Sequence, residues 1–295
     1  MPITATGLAF TLGAALCWAL FDALRKRLSR DVAPVHLALL LPLIQAPLLA
    51  AWAASREPLG LPLACAWPLA ASACFNGVAL VVFLDALRLS PMSLTIPLLS
   101  FTPVLTTVWA WAFRGQVPGP WQVVGSALVV LGSGVLGLGG GAWRGLGSLV
   151  KEPGVRRMTL VAVLWSWTGV LDQLAVNRGA GAWYAPAVTL AVVVLLVLWA
   201  LAQGRLGSSL AAIRPLVSRP LIAGAAGVIG AAALAVQIEA FRWAPVGFIE
   251  VVKRGVGMSS AVLLGRYAFH ERLDGRTWVA VAILTLGVAL VVGLH

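Results

Sequence analysis

Charged side chains are scarce in this chain: Asp, Glu, Lys and Arg together make up 11% of its 295 residues, about half the share of an ordinary soluble domain or less. That excludes a water-soluble globule, because there is too little polar surface to cover one. Histidine is nearly absent. His36, His270 and His295 are the whole set, and none stands in a His-Glu-x-x-His pattern, so a zinc hydrolase of that type has no ligands. Cys17, Cys65 and Cys74 are odd in number and lack metal or redox spacing; they read as small core residues. The glycine-rich stretch Gly139-Gly140-Gly141-Ala142-Trp143 lacks the Gly-Lys-Ser/Thr ending of a P-loop, so energy from nucleotide hydrolysis has no binding loop. No catalytic pairing, metal site or cofactor motif is left, and a membrane enzyme is the weakest functional reading.

What the chain has in abundance is apolar length. Hydrophobic residues reach 60% and the mean hydropathy is +0.96. A helix needs about 20 apolar residues to cross a hydrocarbon core of about 30 Å, and runs of that length fill most of the sequence. Ten spans are expected: Ile3 to Leu24, Ala33 to Ala54, Trp67 to Leu87, Pro91 to Phe113, Trp121 to Leu138, Met158 to Val176, Ala182 to Ala202, Leu221 to Phe241, Pro245 to Phe269 and Arg276 to Leu294. The first lacks a basic residue before it and is followed by Arg25-Lys26-Arg27, which argues for a retained span over a cleaved signal.

The chain is also duplicated. Leu84-Asp85-Ala86-Leu87-Arg88-x-x-Pro91 returns as Ile238-Glu239-Ala240-Phe241-Arg242-x-x-Pro245, each between long apolar runs. The expected organisation is a first five-helix repeat over 1–140, a connecting loop over 141–157 and a second repeat over 158–295. Five is odd, so the second copy enters the membrane from the opposite side, and the fold class is an all-α membrane protein of two inverted repeats. Charge placement agrees. Fifteen Lys and Arg fall on one side, four on the other (Arg56, Arg114, Arg178 and Arg242), and Lys253 and Arg254 lie within a span. The positive-inside rule puts the fifteen in the cytoplasm and both termini outside. A net charge of +11 is thus a topology signal and does not point to nucleic acid.

Charges within spans are expensive, about 2.5 to 3.5 kcal/mol each at the bilayer centre on insertion scales. Lys253 lies eight residues past Pro245, roughly 12 Å into the membrane. Glu250 precedes Lys253 by three positions and Arg254 by four, so one acid can neutralise either base. Either the triplet is self-neutralised, or one base is left to hold a substrate anion. Acid-then-base spacing recurs in Asp22 with Arg25 and Lys26, Asp85 with Arg88, and Glu239 with Arg242. Asp22 and Asp172 occupy matching places, each a few residues after Trp18 and Trp167. These charges are candidates for gate pairs or for pins at helix ends. Trp18, Trp167 and Asn76 are candidates for lining a site. Pro97 and Pro103 in the fourth span, and Gly255 and Gly257 in the ninth, are expected to interrupt corresponding helices near the midplane.

Trp18 before a basic cluster, Leu87-Arg88-x-x-Pro91 followed by Pro103-Val104, and the ending Phe269-His270-Glu271-Arg272 before Trp278 and Gly287 together resemble the drug/metabolite transporter superfamily, in its EamA-type branch. The segment from Val252 to Ser260 is similar to the Lys-Arg segment of triose-phosphate and nucleotide-sugar translocators, where the pair meets substrate phosphate. The chain departs from the family in having Arg114-Gly115-Gln116 where the second half has His270-Glu271-Arg272, and in a charge count that places the termini outside. The resemblance implies a secondary transporter in a bacterial inner membrane. It would move a small polar solute, amino-acid-like or with an anionic group, by alternating access. Alternatives are an exchanger of phosphorylated metabolites and a non-transporting scaffold or lipid-handling protein. Expected partners are the solute and membrane lipids, and the oligomeric state stays open.

Overall fold

The computed structural model describes residues 4–28, 32, 34–90, 95–137, 152–204, 219–268 and 275–293. Every described secondary-structure element is helical. In chain order they are α1 (Ala5–Leu28), α2 (Pro34–Arg56), a 3-10 turn (Leu63–Cys65), α3 (Ala66–Leu89), a second 3-10 segment (Ile96–Ser100) and α4 (Phe101–Arg114). There follow α5 (Pro120–Gly137), α6 (Pro153–Ala175), a π turn (Val176–Ala180), a 3-10 turn (Gly181–Trp183), α7 (Tyr184–Ala202), α8 (Pro220–Trp243), α9 (Val246–Ala268) and α10 (Gly275–Gly293). Much of the expected connecting loop over 141–157 lies outside the described residues. Its last part does not: α6 starts at Pro153 and not at Met158, because proline at a first helical position loses no hydrogen bond and presets the backbone.

Among the described residues, six segments are long and apolar enough to cross a membrane: Ala5–Arg25, His36–Arg56, Leu63–Phe83, Pro153–Ala202, Pro220–Trp243 and Gly275–Gly293. The fourth holds both α6 and α7, divided where Gly179 and Gly181 take left-handed φ values of 93° and 54°. Only glycine takes such angles without strain. Leu16, Leu131, Leu198, Val228 and Leu286 stand exposed on five different helices. Such an apolar exterior is the surface that lipid covers, and the chain is an integral membrane protein.

Small residues set the packing. Gly125 and Gly132 of α5 lie against Val291 and Leu284 of α10, so these helices cross antiparallel with their backbones nearly touching. Helix α1 lies antiparallel on α8, with Gly7 against Trp243, Gly13 against Val236 and Phe21 against Gly230. Helix α6 lies antiparallel on α3, with Asp172 beside Ser72 and Gly154 beside Ser90. Helix α2 runs parallel to α8, and α7 parallel to α3. Helix α9 is enclosed by α1, α4, α5 and α10.

Two expected interruptions differ from what is seen. Helix α9 is continuous through Gly255 and Gly257. Gly255 serves packing: a side chain there would overlap Val288 of α10, while one at Gly257 would meet open space. In the fourth span the break falls at the 3-10 segment containing Pro97, and Pro103 sits in the first turn of α4. Amides of a first turn have no partner within the helix, so Pro103 removes no bond.

Candidate functional site

The charges of α9 meet polar groups from α1 and α8. Trp18 donates its indole N–H to Gln237 Oε1 at 2.7 Å, and Lys253 Nζ donates to the same oxygen at 3.1 Å. Lys253 also bonds Glu250 Oε1 at 2.5 Å and lies 5.7 Å from the centre of the Trp18 ring. The ammonium is therefore held by a carboxylate, an amide and an aromatic face at once. Glu250 is buried, and its carboxylate lies against α6 at Gly169, where a Cβ would stand in ordinary contact, 3.6 Å from Oε1.

Arg254 is treated differently. Its Nε is buried without a hydrogen-bond partner among the described residues. It lies within electrostatic reach of Glu250 and Asp22, but Glu250 is engaged by Lys253, and Asp22 binds Arg25 at 2.7 Å on the exposed end of α1. A buried donor left open costs about 1 to 3 kcal/mol, and more when charged. Of the two bases in the span, Lys253 is ion-paired, whereas the Nε of Arg254 has no hydrogen-bond partner among the described residues.

Asp172 forms a second polar node. It is buried, and it accepts from Ser72 Oγ of α3 and, at 2.5 Å, from Tyr184 OH of α7. Asn76 donates to Ser72 Oγ at 3.4 Å and joins this node, not the Lys253 cluster. Among the described residues the hydrogen-bond partners of Asp172 are hydroxyls, and Lys253 acts on it only at longer range. Trp167 stacks on Trp109 of α4 with centroids 4.8 Å apart and also packs on Phe113. Its ring partners thus belong to the α4–α6 seam and differ from those of Trp18.

The repeated acid–base sentences end at different sites. Glu239 meets Arg56 at 3.4 Å and Arg242 at 3.9 Å, and Arg242 reaches Glu57 at 3.1 Å. Glu57 in turn accepts the backbone N–H of Ala182, over the surface left by Gly181. Nearby, Gln116 donates to Gln173 at 2.8 Å, and Gln173 donates to the carbonyls of Phe241 and Ala244. Asp85 is exposed near the end of α3; the side chain of its partner Arg88 lies outside the described residues. Sequence reasoning missed Ser72, Tyr184 and Glu57. Rarity was the signal available: the chain has two tyrosines and ten acids, so each invites a search for its partner.

Burial changes along α9, while buried clusters also lie at the far end of α1, α2 and α8 and at the far end of α3 and α6. Thr168–Gln173 of α6, Gln237–Phe241 of α8 and Val246–Val252 of α9 are unbroken buried runs, all at the end that holds the start of α1. Past Val252, Lys253, Arg254 and residues 256–260 are all partly exposed.

A bundle of apolar helices with an exposed apolar exterior and a charged interior defines an integral membrane protein. Residues 5–138, covering α1 to α5, match the EamA-like transporter family. A crystal structure described only as that of a protein superposes on this chain with a TM-score of 0.75. It covers 98% of this chain and 99% of its own at 20% identity, a likeness in fold alone. A comparison with curated proteins finds no match.

Proposed function

We propose that the chain is a secondary transporter whose ten helices span the membrane as two inverted five-helix repeats and carry a small polar solute with an anionic group by alternating access. Packing supports the inverted repeat. Exchanging each helix with the one five places on turns α1 on α8 into α6 on α3, turns α2 beside α8 into α7 beside α3, and maps the α5–α10 crossing onto itself. The carrying observation is the open Nε of Arg254, buried beside a lysine whose charge is already matched by Glu250. A solute carboxylate or phosphate would supply the missing acceptor, with Trp18 and Gln237 as neighbours that shape the cavity. The burial gradient along α9 supports access to Lys253 and Arg254 from the side opposite the termini.

A thermal-shift screen of amino acids, phosphorylated sugars, nucleotides and amines on the purified protein tests the reading. An anionic solute at 100 times its Kd stabilises the folded state by about 2.7 kcal/mol. We expect Arg254→Gln to abolish the shift and solute uptake in proteoliposomes. A shift that survives in both Arg254→Gln and Lys253→Ala would refute the site.

A further inference from the structure

The sequence places four basic residues at the terminus-side end of the bundle, and the structure divides them into two kinds. Arg56 and Arg242 are matched by Glu239 and Glu57 at 3.4 and 3.1 Å. Arg114 and Arg178 have no acid within ion-pair distance among the described residues, and the charge acting on Arg114 is that of Arg178 itself. Two cations therefore lie within electrostatic reach of each other with no acid paired to either among the described residues.

The hydrogen-bond inventory points to the same place. Arg114 is the last residue of α4, and its Nη1 is buried with no partner. The carbonyl end of a helix favours a cation in general, but that leaves this N–H without an acceptor. Two residues on, past the left-handed Gly115 (φ 63°), Gln116 Oε1 is also buried and unpartnered, although its Nε2 is tied to Gln173. Arg178, in the π turn after α6, donates to the Ala64 carbonyl at 3.3 Å and lies 5.2 Å from the centre of the Trp67 ring. The ring and the carbonyl fix this guanidinium without neutralising it.

We propose that Arg114 and Arg178 form an oxyanion site at the terminus-side end of α4 and α6, binding a phosphate or carboxylate that also carries a hydroxyl. The oxyanion accepts from the open Arg114 N–H and balances both cations, and the hydroxyl donates to Gln116 Oε1. A phosphatidylglycerol headgroup and a small free hydroxylated anion share this chemistry. The site is separate from Arg254 and does not depend on its role.

The test measures thermal unfolding of the full chain in detergent. One arm compares added phosphatidylglycerol with phosphatidylcholine, and the other compares glycerol phosphate with chloride at matched ionic strength. Stabilisation in the first arm identifies a lipid headgroup, and in the second a free anion. In either case, the half-saturating concentration should rise by about tenfold or more in Arg114→Gln and in Arg178→Gln. It should stay unchanged in Arg25→Gln at the opposite end. Arg178 is exposed, so its variant remains decisive if Arg114→Gln does not fold. No stabilisation by either ligand, or equal stabilisation of the two site variants and wild type, overturns the site.

Discussion

Gln237 shows how one neutral side chain organises the charges around it. Its Oε1 accepts from Trp18 and Lys253 together, which holds the ammonium between α1, α8 and α9. Gln237→Leu keeps the volume and removes the acceptor. We expect it to destabilise the protein by about 1 to 2 kcal/mol, as read by a lower thermal midpoint, because two donors lose a partner where water is scarce. An unchanged midpoint would mean that the amide contributes nothing to the cluster. The Glu250–Lys253 spacing was legible in the sequence, since residues three apart share a helix face. The indole donor was not, because 219 positions separate Trp18 from Gln237. Asp172 was legible as a buried acid, but its hydroxyl partners follow from which faces α3 and α7 turn inward.

At the scale of elements, the contact between α5 and α10 depends on absent side chains. A Cβ at Gly125 would overlap Val291 and the Gly287 carbonyl, whereas one at Gly134 of the same helix would meet nothing. Gly125→Ala should therefore lower stability by about 1 to 3 kcal/mol through overpacking. Gly134→Ala should be neutral or stabilising by up to about 1 kcal/mol, since alanine is the better helix former. Comparative thermal unfolding of the two variants decides, and equal effects would count against the close crossing. The same reasoning explains why reading Gly255 as a break failed. In lipid, glycine more often lets helices approach than interrupts them, and periodicity cannot distinguish the two uses.

The burial gradient along α9 bears on the whole molecule. In a variant with Cys17, Cys65 and Cys74 replaced by alanine, Lys253→Cys should react with a membrane-impermeant maleimide. Ile249→Cys, about one turn deeper in the sealed run, should not. Labelling should occur only from the side that carries the Arg25-Lys26-Arg27 cluster, and equal labelling of both positions would exclude a sealed end. The network of Arg56, Glu57, Glu239 and Arg242 ties α2 to α8 at that end, and Glu57 also holds the turn that leads into α7. Its half-exposed pairs each contribute little, about 0 to 1 kcal/mol, so most of the seal is the buried runs beneath them.

The sequence by itself determined the solvent of this protein and its helical class. Those follow from composition and period, because a backbone in lipid must satisfy its own hydrogen bonds and chooses helices. It also marked Glu250, Lys253 and Arg254 as the costly residues. Only the tertiary structure decided that Lys253 is the matched base and Arg254 the open one, and that Arg114 and Arg178 lack acids while Arg56 and Arg242 have them. Those outcomes depend on which side chains from distant helices converge at one depth, and pair distances of that kind are set by packing, not by local pattern.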